Sequence, residues 1–288
     1  AFGKLFSEMG HDVILLLSEE YKRIIEKSEF HIEFFRNGKF LSDVDIILFK
    51  NVSVYNHVVA KKYKKLGSKI IYVYHEPFDS ILNYFLKEAP QHLMKLFLSH
   101  YFSTRLLKLT DLVLLPSKFA LGIYKKNDVK YCENFSVLPL LLDDELNENI
   151  KIREKEYFSY IGNIASSHSF DIYLDFIKFS YRKGINLKFL IATKNNLDNY
   201  VFKDEILREM ISFGALKIIH GKPLTNSEIN NAYSKSFCVW NAYRRSTQSG
   251  VMAKSFMFGT PVLASDVGSF SEYVINGKNG YIIETSDL

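Results

Sequence analysis

The 288 residues predict an α/β chain of two domains, each built on a parallel sheet. Three observations carry this. Along the first half, short apolar runs alternate with amphipathic helical stretches, the pattern of parallel strands covered on both faces. The stretch Leu142 to Tyr157 (LDDELNENIKIREKEY) then turns polar and charged, as a linker does. After it the alternation begins again with the apolar run Tyr157–Ile161. The domain boundary is expected near Lys151, which divides the chain into residues 1–150 and 151–288.

With 47% hydrophobic and 24% charged residues, the composition excludes a disordered chain. The net charge of +5 suits an anionic small ligand or contact with acidic lipid, and no Arg-rich run calls for nucleic acid. Cys132 and Cys238 stand far apart with no C-x-x-C pair, so neither a metal knuckle nor a disulfide framework is expected. A reduced, cytoplasmic setting is the expectation, with the inner face of a membrane as the place for any lipid contact. No apolar run reaches the length that spans a bilayer.

The strand candidates of the first half are Asp12–Leu17, Asp45–Phe49, Lys69–His75, Asp111–Pro116 and Ser136–Leu141, with helices at Glu19–Ser28 and His57–Leu66. Ala1–Phe6 has the pattern of an amphipathic helix leading into the first strand, and Ser28–Lys39 mixes strand and loop. The arrangement is Rossmann-like, but the absence of G-x-G-x-x-G argues against a dinucleotide oxidoreductase. Ligands of open α/β sheets sit at the carboxyl ends of strands. His75 and Glu76, ending the third strand, are therefore candidate catalytic residues; a turn or capping histidine is the competing reading. Residues 78–109 are expected to be helical, with Lys87, Lys95, Arg105 and Lys108 interleaved among Leu, Phe and Tyr. That pattern fits a core-facing helix pair with a solvated edge, or a basic surface for acidic lipid.

In the second half the strand Tyr157–Ile161 ends in Gly162-Asn163, and the loop Ile164–Ser169 leads to a helix at Phe170–Lys183. Strands follow at Leu187–Ala192, Leu216–His220 and Ser236–Asn241, with helices at Glu205–Ser212 and Asn226–Tyr233. Thr225 or Asn226 is the N-cap of the latter, with Glu228 in its first turn. Gly250 then opens a short helix with Met252, Phe256 and Met257 on one face. Gly259 stands where a helix end wants a left-handed residue, and Pro261 forbids continuation. Val262–Ala264 is a strand, and Gly268 turns the chain away from it. A helix N-terminus behind a small-residue loop presents free N–H groups and the positive end of the helix dipole. Gln248, Ser249 and Gly250 are thus a candidate phosphate cradle. Arg244, Arg245 and Lys254 crowd the same loop and helix and can neutralise phosphate, although a solvated Arg pair is the plainer reading.

The run Gly259-Thr260-Pro261-Val262-Leu263-Ala264-Ser265, followed by Gly268, Glu272 and Asn279-Gly280-Tyr281, resembles the donor-binding segment of retaining GT-B glycosyltransferases of the family 4, or group 1, type. Asp111–Ser117 is similar to another strand of that family. The resemblance implies two Rossmann-like domains facing across a cleft, the first on the acceptor side and the second holding a nucleotide-diphosphate sugar. It implies hexosyl transfer with retention to a glycan or lipid-linked saccharide, with no metal and no cofactor beyond the sugar nucleotide. Because such proteins begin with a further strand and end with further helices, the sequence is expected to be a fragment lacking both.

The resemblance also assigns roles. His75 faces the sugar, Gly162 lets the backbone approach phosphate, and Glu272 hydrogen-bonds a sugar or ribose hydroxyl or else caps the helix near Ser271. Four positions depart from the family. Asn163 stands in place of an Arg, His168 in place of a Lys, and Ser246 and Lys254 in place of two acidic residues. Members with Gln-Ser-Gly before the helix suggest a compensation in which the Ser249 hydroxyl and the Gly250 N–H contact the diphosphate, with Arg244, Arg245 and Lys254 supplying charge. The departures leave a second reading open, a degenerate GT-B protein that binds a glycan or a partner transferase without turnover. A nucleotide-sugar epimerase shares the architecture but wants a carboxylate-rich cleft, which the sequence does not offer.

Overall fold

The computed structural model describes residues 1–19, 22, 29–35, 44–79, 90–146, 154–198 and 200–285. Their strands pair in parallel throughout and form three sheets. A short helix α1 (Phe2–Glu8) precedes a two-stranded sheet of β1 (Ile14–Ser18) and β2 (His31–Phe35). Most of the helix expected at Glu19–Ser28 lies outside the described residues, as do residues 36–39 of the mixed segment.

The second sheet runs β3 (Ile46–Phe49), β4 (Lys69–Val73), β5 (Leu112–Leu115), β6 (Phe135–Val137) in that spatial order. Helix α2 (Asn56–Lys65) crosses over between β3 and β4. Helix α3 (Pro90–Leu107) leads to β5, and α4 (Lys118–Asn127) to β6. Three expected elements are shorter than the sequence suggests. β4 stops at Val73 and β6 at Val137; the Tyr74 and Leu138 amides still reach the Leu114 and Leu115 carbonyls of β5, which ends at Pro116, a residue without the N–H to continue the ladder. Residues 77–79 have no regular structure, so the expected helix does not begin at Phe78; residues 80–89 lie outside the described residues. Leu106, Leu107, Val113, Leu115, Tyr63 and Tyr124 are buried at the centre of this half.

The six-stranded third sheet has the order β12-β11-β10-β7-β8-β9, with β7 Tyr157–Ile161, β8 Lys188–Ala192, β9 Leu216–Ile219, β10 Ser236–Asn241, β11 Val262–Ser265 and β12 Gly280–Ile283. In β7 and β8 four consecutive residues are buried, as expected of strands covered on both faces. Phe158, Tyr173, Phe189 and Trp240 pack edge-on or tilted at its centre, and Tyr173 donates its hydroxyl to the Phe158 carbonyl at 2.7 Å. The covering helices are α5 (Phe170–Arg182), α6 (Glu205–Ser212), α7 (Asn226–Ser234), α8 (Gly250–Met257) and α9 (Phe270–Tyr273). Thr225 caps α7 in a reciprocal pair with Glu228. Gly259 takes the expected left-handed conformation, φ +57°, and the Thr260 N–H returns to the Ser255 carbonyl. Residues 147–153, which contain the expected domain boundary, lie outside the described residues.

Candidate active site

In the third sheet the chain runs outward from β7 to β8 and β9, then crosses to β10, β11 and β12 on the other side. The reversal lies between β7 and β10. Loops leaving the carboxyl ends of two strands at such a point diverge and open a crevice. Here the loop after β7 (Gly162 to His168) and the loop after β10 (Tyr243 to Ser249) wall a hollow of about 180 Å³. Glu76 lines it from the first half of the chain, and the N-terminus of α8 forms one side.

The local chemistry of that helix end explains the small-residue run. Ser249 is the N-cap in extended conformation, and its Oγ accepts from the Met252 N–H at 3.2 Å. The Ala253 N–H goes to the Ser249 carbonyl. The amides of Gly250 and Val251 are left at the mouth, where the helix dipole is positive. Gly162 holds φ +126°, and a Cβ there would press on Val251 at 3.3 Å, so glycine permits the close approach of β7 to α8.

Of the expected site residues, Glu76, His168, Arg245, Gln248, Ser249 and Gly250 line this hollow together. His168 stacks on Tyr243 with ring centres 4.3 Å apart. Its Nδ1 lies 2.8 Å from the Asn163 carbonyl, which can only accept, so Nδ1 carries a hydrogen and Nε2 is the nitrogen left for a ligand. Asn163 thus contributes its backbone carbonyl, which also accepts from the Tyr160 hydroxyl. His75 stands behind the rim. Its Nδ1 receives the Gln248 amide Nε2 at 2.6 Å, and its carbonyl accepts from Thr247. Burial first, then the charge of Lys50, hold the imidazole below its ordinary pKa.

Four expected donor contacts go elsewhere, each for an evident reason. The Ser249 hydroxyl donates to Asn241 Oδ1 at 2.8 Å while capping α8, so its hydrogen is already committed. Arg244 forks onto both Asp171 oxygens at 3.0 and 2.6 Å and reaches the Ser166 carbonyl. That contact holds the Asp171 carboxyl below its usual range. Lys254 donates to both oxygens of Glu145, from the segment after β6, at 3.0 Å. Glu272 neither lines the hollow nor caps its own helix. Its two oxygens accept from the Lys118 and Phe119 amides at 2.9 and 2.7 Å, closing the N-terminus of α4 in the other half of the chain.

A second hollow, of about 300 Å³, shares the wall Arg245-Ser246-Thr247 and is bounded by Phe119, Ile123, Arg244 and Asp266. Sequence reasoning missed Tyr243 and Asn241; both sit at the end of β10, where the carboxyl-end rule that selected His75 would have found them.

The comparisons agree with this geometry. Residues 155–288 match the family model described as Glycosyl transferases group 1. No curated protein sequence matches the chain. Among solved structures, a glycosyltransferase from Rickettsia africae ESF-5 is 12% identical with a TM-score of 0.65, over 98% of this chain and 78% of that one. The Anabaena protein HepE in complex with UDP is 13% identical, with a TM-score of 0.63 over 94% and 78%. Sucrose-phosphate synthase from Thermosynechococcus elongatus is 13% identical, with a TM-score of 0.60 over 84% and 61%. The chain therefore has the GT-B fold, and its residues 155–288 are similar to group 1 glycosyltransferases.

Proposed function

We propose that the chain transfers a hexosyl group, with retention and without a metal, from a nucleoside-diphosphate sugar to a glycan or lipid-linked saccharide. The observation that carries this is the hollow at the reversal between β7 and β10, where the Gly250 and Val251 amides, His168 and Arg245 converge. Breaking the glycosidic bond to the leaving diphosphate develops negative charge on its oxygens. Amides at a helix mouth and a guanidinium already in place stabilise that charge without reorganising. Glu76 lines the hollow from the first half of the chain and would face the sugar, with His75 behind it holding Gln248. UDP is the first nucleotide to try, since it is the one bound in the Anabaena relative.

On the acceptor side, α3 exposes Met94, Leu98 and Tyr101 along one stripe, with Arg105 stacked on Tyr101 and Lys108 beyond it. This supports contact with an acidic membrane surface at the cytoplasmic face, where a lipid-linked acceptor would be met. Among the described residues no helix is long and apolar enough to cross a membrane.

One observation favours the second reading, a degenerate transferase that binds without turnover. Arg244, Lys254 and the Ser249 hydroxyl, all expected on the diphosphate, already have protein partners. Thermal melting against UDP, GDP, ADP and CDP, followed by assays of sugar-nucleotide hydrolysis and transfer, separates the readings. A melting rise with one nucleotide and release of the free diphosphate from its sugar support transfer. A rise without any release would leave only the binding role, and no rise with any of the four would remove the donor site altogether.

A further inference from the structure

We infer that Asn241 is a positioning residue of the phosphate cradle, acting through Ser249; this rests on the donor reading above. Asn241 ends β10, one of the two strands that flank the reversal, and is fully buried. Its Oδ1 accepts the Ser249 hydrogen at 2.8 Å. An N-cap serine has one hydrogen and two lone pairs, and a free hydroxyl rotates among them. With the hydrogen held by Asn241, a lone pair of Ser249 Oγ is fixed on the Met252 N–H. The first turn of α8 is thereby locked with the Gly250 and Val251 amides turned to the hollow.

A second observation points the same way. The Asn241 Nδ2 is buried and has no partner among the described residues. A buried amide donor without an acceptor is costly, so its presence here calls for a reason. What the asparagine supplies is the acceptor for Ser249 and a spare donor behind an anion site.

The test is calorimetric titration of UDP into the wild type, Asn241→Leu, Ser249→Ala and the double variant, with urea unfolding of each. Asn241→Leu and Ser249→Ala are each expected to weaken UDP about five- to tenfold, the size of one lost helix cap. Because Asn241 acts through Ser249, the double variant is expected to bind no more weakly than Ser249→Ala alone, a coupling that a merely structural residue would not show. Asn241→Ala serves in the same cycle should the leucine variant not fold. Wild-type affinity in either Asn241 variant, or fully additive losses, would overturn the inference. Absence of nucleotide binding by the wild type would instead overturn the donor reading.

Discussion

His75 shows how one side chain can report on closure of the cleft. Its imidazole is held neutral by burial and by Lys50 while Nδ1 accepts from Gln248. In the unfolded chain a histidine titrates at about pH 6.5. Above that pH both states carry the same proton count at this site; below it the unfolded chain binds more, so stability falls as pH drops from about 6.5. His100, also depressed mainly by burial, acts with the same sign. His75→Gln is therefore expected to flatten, without abolishing, the decline of urea-unfolding free energy between about pH 6.5 and 5. An unchanged slope would show that the imidazole is not buried in solution.

The residues whose partners the sequence hid are those paired over long separations. Arg244 and Asp171 are 73 residues apart, Lys254 and Glu145 are 109 apart, and Glu272 reaches an amide 154 residues away. Local pattern names the charge but not its counterpart. Glu272→Ala removes two acceptors from the first turn of α4 and is expected to cost about 1 kcal/mol in urea unfolding, as loss of a cap does. No change would mean that the two halves do not hold this contact in solution.

At the scale of elements, α8 and the turns around it were the most legible part of the chain. Gly250, Gly259 and Pro261 mark its ends by backbone rules that act within a few residues, and the structure follows them. Strand ends were less legible, because a ladder stops where a neighbour can no longer pair, as at Pro116 beside β4. The glycines after α8 make a graded prediction. Gly259 and Gly268 both have positive φ, +57° and +62°, but only at Gly268 would an added Cβ collide with backbone, the Ser246 carbonyl. Gly259→Ala is expected to cost about 1 kcal/mol from the left-handed conformation alone. Gly268→Ala adds the collision and is expected to cost about 3 kcal/mol, shifting the loop that lines both hollows. Equal costs in urea unfolding would show that the Ser246 loop yields freely.

At the scale of the molecule, the α/β plan of parallel sheets was legible because alternation is a property of whole segments. How the halves meet was not. Among the described residues the contacts include hydrogen bonds scattered over loops and a short helix: Gln248 to His75, Thr247 to the His75 carbonyl, Ser117 to the Thr247 carbonyl, Tyr273 to the Pro116 carbonyl, and the two from the α4 amides to Glu272. The linker adds a firmer hold on the cradle helix itself. Before the break, Glu145 grips Lys254 in the middle of α8; after it, Lys155 donates to the Phe258 and Gly259 carbonyls and to Thr260 at the negative end of the same helix. Movement of the linker is therefore movement of the phosphate site. The Glu145–Lys254 pair is largely shielded, so water screens it less than a surface pair. Glu145→Gln keeps the size and removes the charge, and is expected to weaken the hold of the linker by about 1 kcal/mol. If closure and donor binding are coupled in this way, UDP affinity falls about fivefold through the smaller closed population, while the residues lining the hollow stay unchanged. Small-angle scattering of the variant should then show a larger radius of gyration that UDP restores. A radius equal to that of the wild type with unaltered UDP affinity would show that the linker carries the helix without steering it.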